Sequence, residues 1–168
     1  MRRIIFMGVM LFAISIGSQA MAACSEGNGW TQVTSLVSTL TGNGLSLGMT
    51  ACSSTGQGTQ EEHHYTGGTS GELWDYKCGN AGAAPVPNTV CAKPGADVRS
   101  KLGTWSVAND VSTNATVTYH YTAFGNDTSP ALTVYTDGTN YDFCNGVSSA
   151  GIFTLEQTTG TARVCPGP

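Results

Sequence analysis

From Leu47 to the end of the chain, apolar and polar residues alternate in short runs, and turn residues separate the runs. In a β-strand successive side chains point to opposite faces, so this pattern asks for a sheet with one buried surface. "TVTYHY" shows it most cleanly: Val117, Tyr119 and Tyr121 fall on one face, Thr116, Thr118 and His120 on the other. Trp105 with Val107, Leu132 with Val134, Tyr141 with Phe143, Phe153 with Leu155, and Ala162 with Val164 repeat the habit. Between them stand "AND", "GNDTSP", "DGTN", "NGVSSAG" and "TTG", segments suited to tight turns.

With upstream candidates near residues 47 to 53, 59 to 65 and 71 to 77, the runs describe an antiparallel meander of about eight strands. Such a meander carries two exposed edges unless it closes. The expectation is therefore an all-β domain over 47–168, an up-and-down barrel in preference to a two-sheet sandwich. Its interior would be filled by side chains or hold one small ligand. The segment 23–46 reads differently: in "WTQVTSLVSTL", Trp30, Val33, Val37 and Leu40 share a helical face, which predicts a short N-terminal helix.

Residues 1–22 carry Arg2 and Arg3, an apolar run from Ile4 to Ile16, and small residues ending at Ala22. That order is a secretory signal peptide, with cleavage expected before Ala23 and no membrane span left afterwards. The destination is the exterior or the periplasm. Cys24, just after the small residues, leaves a lipid anchor open as the alternative.

Loss of Arg2 and Arg3 leaves five basic residues against eleven acidic ones, a formal charge of −6. Such a surface argues against nucleic-acid partners, which need clustered Lys or Arg. The six cysteines, Cys24, Cys52, Cys78, Cys91, Cys144 and Cys165, are an even set in an exported chain, so three disulfides are expected rather than zinc ligation. Pairing of sequence neighbours is expected: Cys24 with Cys52, Cys78 with Cys91, Cys144 with Cys165.

The most chemically crowded stretch is "QEEHHYTGGTSGELWDYKC". Read as a hairpin turning at "TGGTSG", it sets Tyr65 opposite Glu72, His63 opposite Trp74 and Glu61 opposite Tyr76. Those six residues share a face that holds every aromatic ring of the hairpin, the expected inward face. Glu62, His64, Leu73, Asp75 and Lys77 take the other, although a one-residue slip would exchange the faces. Aromatic area with a few polar groups is how small-molecule pockets are lined. The plainer reading makes Trp74 and Tyr76 core and leaves Glu61 and Glu72 at the rims in water.

"EEHH" invites metal ligation by Glu61, Glu62, His63, His64 and His120, but adjacent histidines on a strand point apart and this is not H-E-x-x-H on a helix. No metal and no cofactor are expected. No nucleophile elbow, phosphate-binding glycine loop or haem attachment motif occurs. Catalysis would need Glu61, His63 and Glu72 to converge on an open cavity. "NAT" at Asn114 and "NDT" at Asn126 match the glycosylation acceptor pattern.

"GTW" at Gly103–Trp105, the meander after it, and Arg163 on the last run resemble the lipocalin-like group of small secreted barrels. The order of hairpin and then GTW is also similar to short exported bacterial proteins of unassigned function. The resemblance implies a barrel with Trp105 packed at one end. The functional expectation is a binding protein for a small apolar or aromatic ligand, contacted by Glu61, His63, Tyr65, Glu72, Trp74, Tyr76, Trp105 and Tyr119. The alternative is a surface interaction protein with an extracellular protein partner, such as an exported protease or an envelope component.

Overall fold

The computed structural model describes residues 24–53, 60–78, 97–122, 127–158 and 165; the expected leader lies outside them. They form one antiparallel sheet whose strands are β1 (Thr31–Gln32), β2 (Met49–Ser53), β3 (Gln60–Gly67), β4 (Ser70–Cys78), β5 (Asp97–Ala108), β6 (Thr116–Tyr121), β7 (Asp127–Thr128), β8 (Thr133–Thr136), β9 (Asn140–Asn145) and β10 (Ser148–Gln157). The order is β1-β8-β9-β10-β2-β3-β4-β5-β6-β7. Two meanders, β2 to β7 and β8 to β10, are thus joined where β10 lies against β2.

The sheet does not close into a barrel, which corrects the expected architecture. Among the described residues, β6 and the chain just before β8 meet at one bridge, where Val117 and Leu132 exchange hydrogen bonds of 2.9 and 2.8 Å. Beyond it the 127–132 segment takes the β6 backbone groups: Ser129 N donates to Tyr119 O at 2.8 Å, and Tyr119 N donates to Ser129 Oγ at 2.9 Å. Pro130 follows at once and has no N–H to extend a ladder. The edges that remain, β1 and β7, are two residues each, too short to template another strand.

The β3–β4 hairpin turns on Gly68 and Thr69, but Thr66 is an extra, bulged residue. Below it Tyr65 lies opposite Gly71, His64 opposite Glu72, His63 opposite Leu73 and Glu62 opposite Trp74. The expected pairing is therefore off by one residue. A slip of one exchanges faces, so Leu73 is inside and fully buried, while Glu72 and Trp74 stand on the outer surface with His64.

A second bulge, at Leu102 on β5, lets Leu73 face Gly103 and Trp74 face Lys101. Gly71 makes room for Trp105, since a Cβ there would lie 2.7 Å from its ring. Trp105 is accordingly a core residue, 1% exposed.

The N-terminal helix α1 runs only over Leu36–Thr41. The upstream half of the expected helix is committed elsewhere: Thr31 and Gln32 pair with Thr136 and Tyr135, and Val33 N donates to Val134 O. Asp110 Oδ1 accepts the Val37 N–H from across the fold, and Gly42, at φ 59°, ends the helix. Leu36 and Leu40, both fully buried, join Leu73, Trp105, Val117 and Val134 in one core. The helix thereby packs against β2 and β3 as part of that core.

The disulfides are Cys24–Cys144 and Cys52–Cys165, which corrects two of the expected pairs. β1 and β8 tie the N-terminal segment beside β9, which carries Cys144. β10 lies along β2 with Thr154 opposite Cys52, which delivers the C-terminal segment to that cysteine. Long-range pairing, not proximity in sequence, chooses the partners. Cys91 and the Cys78 side chain lie outside the described residues. The Cys24 sulfur is bonded to Cys144.

Candidate functional site

A cavity of about 200 Å³, partly open to solvent, lies between β2, β3, β6, β9, β10 and the 129–132 segment. Four rings form a continuous wall: Tyr121 to Tyr119 at 6.2 Å between centroids, Tyr119 to Phe143 at 6.2 Å, and Phe143 to Phe153 at 5.4 Å, edge to face. Period two delivers them. Tyr119 and Tyr121 are alternate residues of β6, and Phe143 and Phe153 come from neighbouring inward positions of β9 and β10.

Glu61 is the one charged residue on the lining among the described residues. The Tyr121 phenol donates to its carboxylate, 3.0 Å from Oε1 and 3.3 Å from Oε2. Burial and then the Glu61 charge raise the Tyr121 phenol far above its ordinary range, so it stays protonated and remains a donor. Tyr119 is raised by the same two causes.

Behind the wall, His63 is fully buried, its Nδ1 3.1 Å from Met49 O and its Nε2 2.9 Å from Tyr119 Oη. The carbonyl can only accept, so Nδ1 carries the proton and Nε2 accepts from Tyr119. Desolvation lowers His63 to about 4, against a smaller opposing effect of the Met49 bond. It is therefore neutral at pH 7, a strut between β3 and β6.

The expected site residues are thus divided. Glu61 and Tyr119 line the cavity, and His63 braces it. Tyr65 packs half-buried against the core, its backbone N–H donating to Ser46 O beyond α1. Trp105 is core, and the Tyr76 side chain lies outside the described residues.

Glu72 and Trp74 occupy the outer face. There His64 stacks on Trp74 at 5.5 Å and donates to the buried Glu62 carboxylate at 2.8 Å, while Trp74 Nε1 donates to Glu72 at 3.0 Å. Lys101 meets Glu72 at 2.6 Å and, with Trp74, holds its carboxyl below the usual range.

His63 and His64 do point to opposite faces, as adjacent strand residues must. Glu61, His63 and Glu72 do not converge, because one lines the cavity, one is sealed behind it and one is outside. Among the described residues, the grouping with metal-like spacing is Cys24, Asp142 and Cys144, and its two sulfurs are bonded to each other. Asp142 is buried beside that disulfide; burial raises its carboxyl, opposed by the hydrogen bond from Ser149 Oγ.

Tyr121, Phe143 and Phe153 were not among the expected site residues. Their inward positions follow from period two, but their convergence follows from β10 returning to β2. No protein-family model, curated protein or solved structure matches the chain. No helix among the described residues is long and apolar enough to cross a membrane, and two disulfides fit an oxidising compartment.

Proposed function

We propose that this protein is exported and acts by binding a small apolar or aromatic ligand in the cavity between β6 and β10. The observation that carries the reading is the four-ring wall around an unfilled space between β2, β3, β6, β9 and β10. An apolar cavity of about 150 Å³ accepts benzene, and this one, at about 200 Å³, has room for one ring with a short substituent. Removal of such a ligand from water supplies about 25 cal/mol per Å² of apolar surface buried.

The test is calorimetric titration of the exported chain with single-ring aromatics and short alkyl compounds, in parallel with Ala150→Phe. Ala150 is an exposed residue on the cavity lining, so the larger side chain obstructs the space without disturbing the core. Saturable one-to-one binding that Ala150→Phe weakens at least tenfold supports the reading. A panel without saturable binding, or binding indifferent to Ala150→Phe, removes it.

A further inference from the structure

Tyr119 stands at the middle of the aromatic wall, between the Tyr121 and Phe143 rings, and lines the cavity. Its phenol is seated behind the wall by one bond, to His63 Nε2 at 2.9 Å. The other imidazole nitrogen is held by Met49 O at 3.1 Å, so a second proton on the ring must go to Nε2. The phenol proton then loses its acceptor, and a positive ring is left fully buried, a state that is strongly disfavoured unless the ring reaches water.

The surroundings of His63 give that charge little relief. Packed around it, α1 and β2 bring no ionisable side chain, since Cys52 is in a disulfide. β4 presents Leu73 and β5 the Trp105 ring, with Glu72 and Lys101 paired on the outer surface, while β6 presents Tyr119 with Tyr121 beyond it. On β3 itself Glu61 acts on the two phenols, Glu62 meets His64, and a charge on His64 opposes one on His63. Burial is the largest influence, and it keeps the ring neutral down to about pH 4.

We propose that the cavity is an acid-gated site: a proton taken up by His63 unseats Tyr119 from the wall, and the bound ring compound is released. This rests on the cavity being a binding site and adds the condition under which it lets go. Ligand and proton exclude each other, so the bound ligand must in turn resist protonation of His63.

The probes are benzyl alcohol and toluene, neutral at every pH used, titrated calorimetrically at pH 6 and pH 3 into the wild type and into His63→Gln. The Gln amide oxygen accepts the Tyr119 proton but takes up none itself, and Glu61 is common to both proteins. Wild-type affinity should fall about tenfold more than that of the variant, as expected for a group that titrates near 4. The wild type alone gives a second reading, which holds even where the variant does not fold. Ring-carbon NMR of His63 should show its titration midpoint fall by about one pH unit when ligand is held at about ten times its Kd.

Parallel loss of affinity in the two proteins, or a His63 midpoint indifferent to ligand, overturns the gate and leaves the cavity reading standing. Release that sets in only as far-UV circular dichroism shows the sheet melting overturns the gate as well. Failure of both probes to bind at pH 6 overturns cavity and gate together.

Discussion

The Tyr119 phenol donates to His63 Nε2 across 2.9 Å, joining β6 to β3 although β4 and β5 lie between them in the sheet. The bond crosses the concave interior and forms the floor behind the aromatic wall. It requires a neutral imidazole, since a protonated ring has no lone pair to accept the phenol proton.

That requirement sets a pH dependence. His63 falls from an ordinary 6.5 to about 4 in the fold, so the unfolded chain takes up the proton first. Its contribution is complete above about pH 6.5 and is lost as pH drops through 4, about 3 kcal/mol in total at 1.36 kcal/mol per pH unit. Urea unfolding at pH 7.5 and pH 3.5 should show wild type losing that much more than His63→Gln. Glu72, held low, acts in the same direction, and Asp142, held high, opposes it, but both are common to the two proteins. Equal acid sensitivity would mean that His63 is not sealed.

Gly48 sits at φ 63° with its Cα facing the His63 carbonyl; an added Cβ would lie 1.8 Å from that oxygen. Gly48→Ala should cost upward of ~2 kcal/mol, from clash and left-handed strain together. Gly138, at φ 94° with open space around it, supplies the comparison. Gly138→Ala carries the strain alone, about 1 kcal/mol. Matching unfolding midpoints for the two variants would contradict the close packing of α1's exit against β3.

Val111 is 77% exposed and held at φ 63°, a conformation that β-branched residues rarely adopt. Asparagine tolerates that region, so Val111→Asn should stabilise by about 1 kcal/mol, read as a rise in Tm. A fall in Tm would show that the exposed side chain makes a stabilising contact.

Peptide mapping without reduction should recover Cys24 joined to Cys144 and Cys52 joined to Cys165. Each bridge spans more than a hundred residues, so the paired alanine variant Cys24→Ala/Cys144→Ala should lose about 2–5 kcal/mol. Recovery of Cys24–Cys52 peptides would contradict the placement of β1 beside β8 and β9.

Much of the sheet is legible in the chain because period two needs only local information. Val117, Tyr119, Leu132, Val134 and Phe143 are inward where alternation puts them. The β4 faces are not legible, since one bulged residue, Thr66, reverses them and threonine suits a regular strand as well as a bulge. Closure fails for a reason written at Pro130 but readable only once β6 is known to reach that segment. The disulfides and the cavity share a cause: β10 lies against β2, and no local pattern announces a contact between residues a hundred positions apart.

The most direct test of the account is to find where a bound ligand sits. In the complex with a single-ring aromatic ligand, intermolecular nuclear Overhauser effects should connect the ligand ring to Tyr121, Phe143 and Phe153. Contacts confined to Trp74 and His64 on the outer face, or none at any saturating concentration, would contradict it.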